Sequence, residues 1–112
     1  MIYRQEVFAT LSTLTEKFQQ ASPFPHIVID NLFDNTILRQ VADAFYPAED
    51  PRWHRFADPH RETKLASTSE MYLPSVIQQF VRELNAEQFL TQISILTAIP
   101  GLMPDPYLLG AG

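Results

Sequence analysis

The chain has 112 residues, 46% apolar and 19% charged, which suits one domain with its own core and excludes disorder by composition. A formal charge of −5, without Lys or Arg clusters, argues against a nucleic-acid partner and against an anionic membrane surface. The absence of cysteine excludes disulfides, thiolate catalysis and any Cys-based zinc or iron–sulfur site.

The residues after Met1, Ile-Tyr-Arg-Gln-Glu, lack the basic-then-apolar build of a secretory signal. The apolar stretches are too short to span a bilayer, so a cytoplasmic setting is expected. The first helix is predicted from about Gln5 to Gln20, because Val7, Phe8, Leu11, Leu14 and Phe18 recur at helical spacing. Ser22-Pro-Phe-Pro25 ends it, since two prolines so close cannot continue a helix. His26-Ile-Val-Ile-Asp30 follows, and its three consecutive β-branched residues predict a short strand. Asp34 is the expected N-cap of a second helix through Phe45, with Ile37, Leu38, Val41 and Phe45 on its apolar side. Tyr46-Pro47 stops that helix.

From Ala48 to Glu70 the chain is polar and irregular apart from Trp53, Phe56 and Leu65, with room for one or two short strands. Pro74 fits the first turn of a third helix carrying Val76, Ile77, Phe80, Val81 and Leu84. Asn85 is the expected cap of a fourth, with Gln88 three residues on in a capping-box arrangement. Phe89, Leu90, Ile93 and Leu96 form its inner face, and Pro100-Gly101 closes it. Tyr107-Leu-Leu109 has the character of a strand start. Helices need an apolar surface to pack on, and the strand candidates need a sheet. An unfinished sheet reconciles the two.

Pro23-Phe-Pro-His-Ile-Val-Ile-Asp-Asn-Leu-Phe33 resembles the opening segment of prolyl-4-hydroxylase-like Fe(II)/2-oxoglutarate-dependent dioxygenases. Further stretches agree with that family in order: Trp53, Lys64-Leu-Ala66, Leu73-Pro74, Glu83-Leu-Asn85 and Phe89-Leu90. The run Leu96-Thr-Ala-Ile-Pro-Gly-Leu102, with Pro104-Asp-Pro106 and Leu109-Gly-Ala-Gly112, is similar to the family's Leu-Thr-Gly-Ile, Asp-Pro and glycine-rich series. Ala98 and Ala111 depart from its usual glycines but stay small. The resemblance covers residues 23–112, behind a leading helix in residues 1–22.

The resemblance implies an α+β fold in a single domain, 1–112, with N-terminal helices packed on the first strands of an incomplete double-stranded β-helix, or jelly roll. It implies that the complete enzyme uses Fe(II) and 2-oxoglutarate, with ascorbate as a further cofactor, to hydroxylate a prolyl peptide, an amino acid or a small metabolite. Such enzymes hold iron through two imidazoles and one carboxylate on one face of the metal. The family's His-x-Asp pair follows its glycine-rich run and a second His comes later, so this chain is expected to be an N-terminal part, inactive alone. No catalytic, cofactor-binding or metal-binding residue is assigned within it. The competing expectation is a small helical interaction module, or a degenerate scaffold, without catalysis. Open sheet edges and uncovered helix faces predict self-association when the chain is made alone.

Other chemistry is poorly supported by the residues. His54, Asp58 and His60 are the right ligand types, but Pro59 interrupts them and a loop cannot hold them in a fixed shell. His26, beside Pro25, is read as a hydrogen-bonding residue rather than a ligand. No Gly-x-Ser-x-Gly elbow or phosphate loop is present. Asp105 between two prolines and Glu49-Asp50-Pro51 read as turns, not as a carboxylate pair. Phe24, Phe33, Phe45, Phe80 and Phe89 are expected in the core. Trp53 falls outside the periodicity; it is either an anchor pinning residues 48–70 or a residue lining a cleft.

Overall fold

A computed structural model of the chain describes residues 2–58, 62–67 and 72–105. A 3-10 helix, Gln5–Thr10, runs directly into α1, Leu11–Gln20. The expected first helix therefore has the right extent, but its first half is wound more tightly. Thr10, at φ −119° and ψ 54°, marks the change between the two windings. Beyond α1, Ala21 is extended and the Ser22–Pro23 peptide is cis. The chain stays irregular until α2, Asn35–Ala44, whose first turn is capped as expected: Thr36 N–H donates to Asp34 Oδ1 at 2.8 Å.

The middle stretch contains a hairpin, β1 His54–Asp58 and β2 Glu62–Ala66, paired antiparallel from His54 opposite Ala66 to Asp58 opposite Glu62. Two helices complete the described fold: α3, Ser75–Leu84, and α4, Glu87–Thr97. Pro74 precedes α3 as its N-cap rather than opening its first turn. Asn85 does not cap α4; that position belongs to Ala86, which makes no side-chain cap. Asn85 instead closes α3, its N–H donating to Val81 O at 3.0 Å and its Nδ2 to the same carbonyl at 3.0 Å. With only two residues between the helices, the last carbonyls of α3 take the side chain that the sequence offers to α4.

The jelly-roll expectation is overturned. The described chain is mostly helical, with one two-stranded antiparallel sheet, and its helices pack on one another rather than on a sheet. α1 lies on α4, α2 on α3, and α3 on α4, so each apolar stripe meets another helix. The strand expected at His26–Asp30 is not formed: residues 26–29 are irregular, Asp30 begins a turn, and the segment belongs to no sheet. Ile27 and Ile29 turn inward onto the helical core while Val28 is 81% exposed. The segment thus keeps a strand's alternation but is held by side-chain burial instead of a ladder. Phe33, just beyond it, forms an isolated bridge with Tyr3. The strand start expected at Tyr107–Leu109 lies outside the described residues.

The core is built around Ile2, Tyr3, Phe8 and Leu96. Tyr3, Phe8 and Phe89 form a triangle of edge-to-face rings, with centroids 4.9–6.2 Å apart. Leu11, Leu14, Phe18, Phe80, Leu84 and Ile93 pack around it, as the helical periodicity predicted. Phe33 meets Phe80 at 5.2 Å. Two aromatics expected inside are not there: Phe24 is 63% and Phe45 49% exposed. The radius of gyration is 16.4 Å, against about 13 Å for a compact chain of this length. None of the described helices is long and apolar enough to cross a membrane.

Adjacent residues on α4 test this placement. Leu96 is 1% exposed and Ile95 51%. Leu96→Ala should lower the unfolding free energy by about 3 kcal/mol, and Ile95→Ala by less than about 1 kcal/mol, in urea denaturation. The Tyr3 hydroxyl is buried without a hydrogen-bond partner among the described residues. Removing it as Tyr3→Phe should raise stability by about 1 kcal/mol in the same measurement. A loss instead would mean that the hydroxyl has a partner.

Candidate functional site

Trp53 is the one residue singled out from sequence as a cleft candidate, and its surroundings are built by a short, tightly bonded loop. Asp50 N–H donates to Pro47 O at 3.0 Å and Trp53 N–H to Asp50 O at 3.2 Å, two consecutive turns. They bring the indole against the end of α2. Trp53 stacks on Phe45, with ring centroids 6.2 Å apart and planes 13° apart, and meets Tyr46 edge-on at 6.1 Å. Its Nε1–H donates to Tyr46 O at 3.3 Å. The side chain is 9% exposed. It therefore anchors the loop, and it also lines a cavity of about 390 Å³ with Pro51, Arg52, His54 and Tyr72.

The charge beside this cavity is already engaged. Arg52 Nε donates to Asp50 Oδ1 at 2.9 Å and Nη2 to Asp50 Oδ2 at 2.7 Å, a bidentate pair. The Arg52 main-chain N–H adds a further bond to Asp50 Oδ1 at 2.9 Å. The guanidinium carbon sits 3.4 Å from the Tyr46 ring centroid. These bonds from Arg52 hold the Asp50 carboxyl down to about 2, and the carboxylate raises Arg52 in turn. Arg52 is thus committed to its own loop. The cavity offers aromatic and apolar walls that could take a flat or extended group, with no nucleophile–base pair among its lining residues.

The structure describes His26 and His54 of the three histidines. His54 opens β1 and Asp58 ends it, a separation of about 13 Å along an extended strand; His60 lies outside the described residues. His26 is exposed, and its Nδ1 meets Phe24 O at 2.8 Å, with the two rings 5.4 Å apart. Among the described residues, no group of three His, Asp or Glu side chains gathers as a metal site. The carboxylates weighed as a pair have other engagements. Asp50 is taken by Arg52, and the Asp105 main-chain N–H donates to Asn85 Oδ1 at 3.1 Å. Asn85 thereby ties the segment after α4 back to the end of α3, a role sequence reasoning missed. A side chain serving two distant segments leaves no periodic signal.

Compared with known proteins, the chain matches no family model, no curated protein and no solved structure.

Because the Asp50 carboxyl is depressed in the folded chain, its contribution is complete above the unfolded value of ~3.9 and is lost as pH falls through about 2. Trp53 fluorescence should therefore report loosening of the loop between pH 4 and 2. Asp50→Asn should abolish that acid transition and give a constant signal across the same window.

Proposed function

We propose that this chain is the helical N-terminal part of a 2-oxoglutarate- and Fe(II)-dependent oxygenase of the prolyl-4-hydroxylase-like kind, and that it supports a metal-bearing part without holding iron itself. The reading rests on the order of segments from Pro23-Phe-Pro-His26 to Pro104-Asp105. The structural observation that favours it is the apolar surface left uncovered: Val28 is 81% exposed, Met103 83%, and Ile95 and Ile99 51% each. Exposed apolar side chains of this kind are available for another body to cover. The Trp53 cavity belongs to the same reading as a place where the rest of the enzyme or its substrate rests. The substrate class is an aliphatic C–H on a prolyl peptide, an amino acid or a small metabolite. The iron and the oxoacid, with ascorbate as a further cofactor, act on residues outside this chain. A cytoplasmic setting fits the absence of cysteine.

A second reading, a helical interaction module without catalysis, is favoured by one observation. The helices already cover one another's stripes around Leu96 and Tyr3, so the core does not wait on a sheet.

The two readings separate on sequence and on metal. The coding sequence past Gly112 should supply a His-x-Asp pair within a few tens of residues. The longer polypeptide should then bind one Fe(II) and convert 2-oxoglutarate to succinate, while the 112-residue chain alone should hold no stoichiometric iron. Tight stoichiometric Fe(II) on the 112-residue chain, or no such pair downstream, would sink the proposal. The exposed apolar side chains also predict concentration-dependent association of the isolated chain in sedimentation velocity, reduced by Val28→Lys. A monomer at all concentrations would contradict it.

A further inference from the structure

The chain that leaves α4 turns back along it. Ala98, at φ 57°, caps the helix in the left-handed region, and Gly101, at φ 71°, turns the backbone a second time. Residues 102–105 then return over α4 as an irregular strap tied at two points. The Leu102 N–H donates to Ser94 Oγ at 3.3 Å, and the Asp105 N–H to Asn85 Oδ1 at 3.1 Å. Between strap and helix lies a groove of about 400 Å³, walled by Leu90, Thr91 and Ile95 of α4 and by Gly101, Leu102 and Pro104.

Little besides those two bonds holds the strap down. No residue of 98–105 belongs to the core cluster around Leu96. Met103 is 83% exposed, and Leu102 and Pro104 leave the space beneath them unfilled. The strap is nonetheless stiff, because Pro104 fixes its own φ and keeps Met103 out of the helical region. It also has little slack. The rise from Glu87 to Ser94 is about 10 Å, and the three steps from Leu102 to Asp105 reach about 10 Å when extended. A stiff segment without slack shares its strain between its ties, so losing one loosens the other. Gly101 is the free joint: an added Cβ there would meet nothing within 4 Å.

We propose that residues 102–105 form a lid over this groove, which swings off α4 as one unit about Gly101 while the helical core stays folded. Segments held by few apolar contacts open locally, at a lower free energy than the core around them. The lid uses no residue of the Trp53 cavity and no iron ligand, so it stands apart from the oxygenase reading.

Amide hydrogen exchange followed by NMR on the 112-residue chain reads lid and core separately. The Leu102 and Asp105 amides should exchange at least about tenfold faster than the Leu96 amide, at rates that low urea leaves unchanged. Ser94→Ala removes only the tie at Leu102, yet should speed exchange at Asp105 about threefold or more. Asn85→Ala should do the same at Leu102. Gly101→Ala touches neither tie, but its left-handed backbone disfavours the closed lid, so both amides should exchange about fivefold faster with Leu96 unchanged. Faster exchange only at the amide whose own partner was removed overturns the proposal, since the two bonds would then be separate. So would Leu102 and Asp105 rates that follow Leu96, because the segment would then open only with the core. Asn85→Ala also frees Val81 O at the end of α3. Should it speed exchange at Leu96, Ser94→Ala and Gly101→Ala decide by themselves.

Discussion

The fold depends on a short extended piece, Ile2-Tyr3-Arg4, held at the centre by charge-assisted and main-chain bonds. Ile2 N–H donates to Glu83 at the end of α3, and Arg4 N–H to Leu32 O at 2.8 Å. Arg4 also reaches Asn31 O at 3.1 Å and Asp34 at 3.6 Å. Those bonds fix where the Tyr3 ring enters between Phe8 and Phe89. Three otherwise separate pieces, the start of the chain, the 31–34 segment and the α3–α4 junction, are thereby joined. Hydrogen bonds to a charged group are among the stronger ones available to a chain, and a core this small needs them.

The same arrangement explains why the surface is apolar in places. Each described α-helix has about three turns, so the apolar stripe it can bury is short. α4 gives its inner face, Phe89, Ile93 and Leu96, to α1 and the Tyr3 cluster. Ile95, beside Leu96, is 51% exposed although its carbonyl accepts from Thr15 Oγ1 of α1. Around Trp53 a second, smaller patch is organised by hydrogen bonds and ring stacking, and Arg52 and Asp50 neutralise each other there. The hairpin gains little from the helices. An isolated two-stranded hairpin is marginal in water, so its tie to Trp53 at the start of β1 matters more than its own ladder.

The polar groups around Trp53 and around Tyr3 therefore differ in kind. The Trp53 cavity has its charged groups paired within one loop, and what remains is shape and aromatic surface. The Tyr3 hydroxyl has the reverse character: it is covered by the core and has no hydrogen-bond partner among the described residues.

Local signals in the sequence settled the helices. The stripes Phe8-Leu11-Leu14-Phe18, Val76-Ile77-Phe80-Leu84 and Phe89-Ile93-Leu96, the Asp34 cap and the Pro23–Pro25 break are all near-neighbour effects, and the structure follows them. Pairings between distant residues lay beyond that reach. Periodicity shows that Ile27 and Ile29 share a face, but not whether helices or a sheet will meet that face, and here helices do. Likewise Asn85 is capable of capping either helix, and it serves α3 because Val81 O and Asp105 N–H both come within its reach. Tyr3 carried no pattern at all, since a single ring becomes central only when segments eighty residues apart close around it. Such closure is a property of the folded whole, where long-range packing overrides local preference.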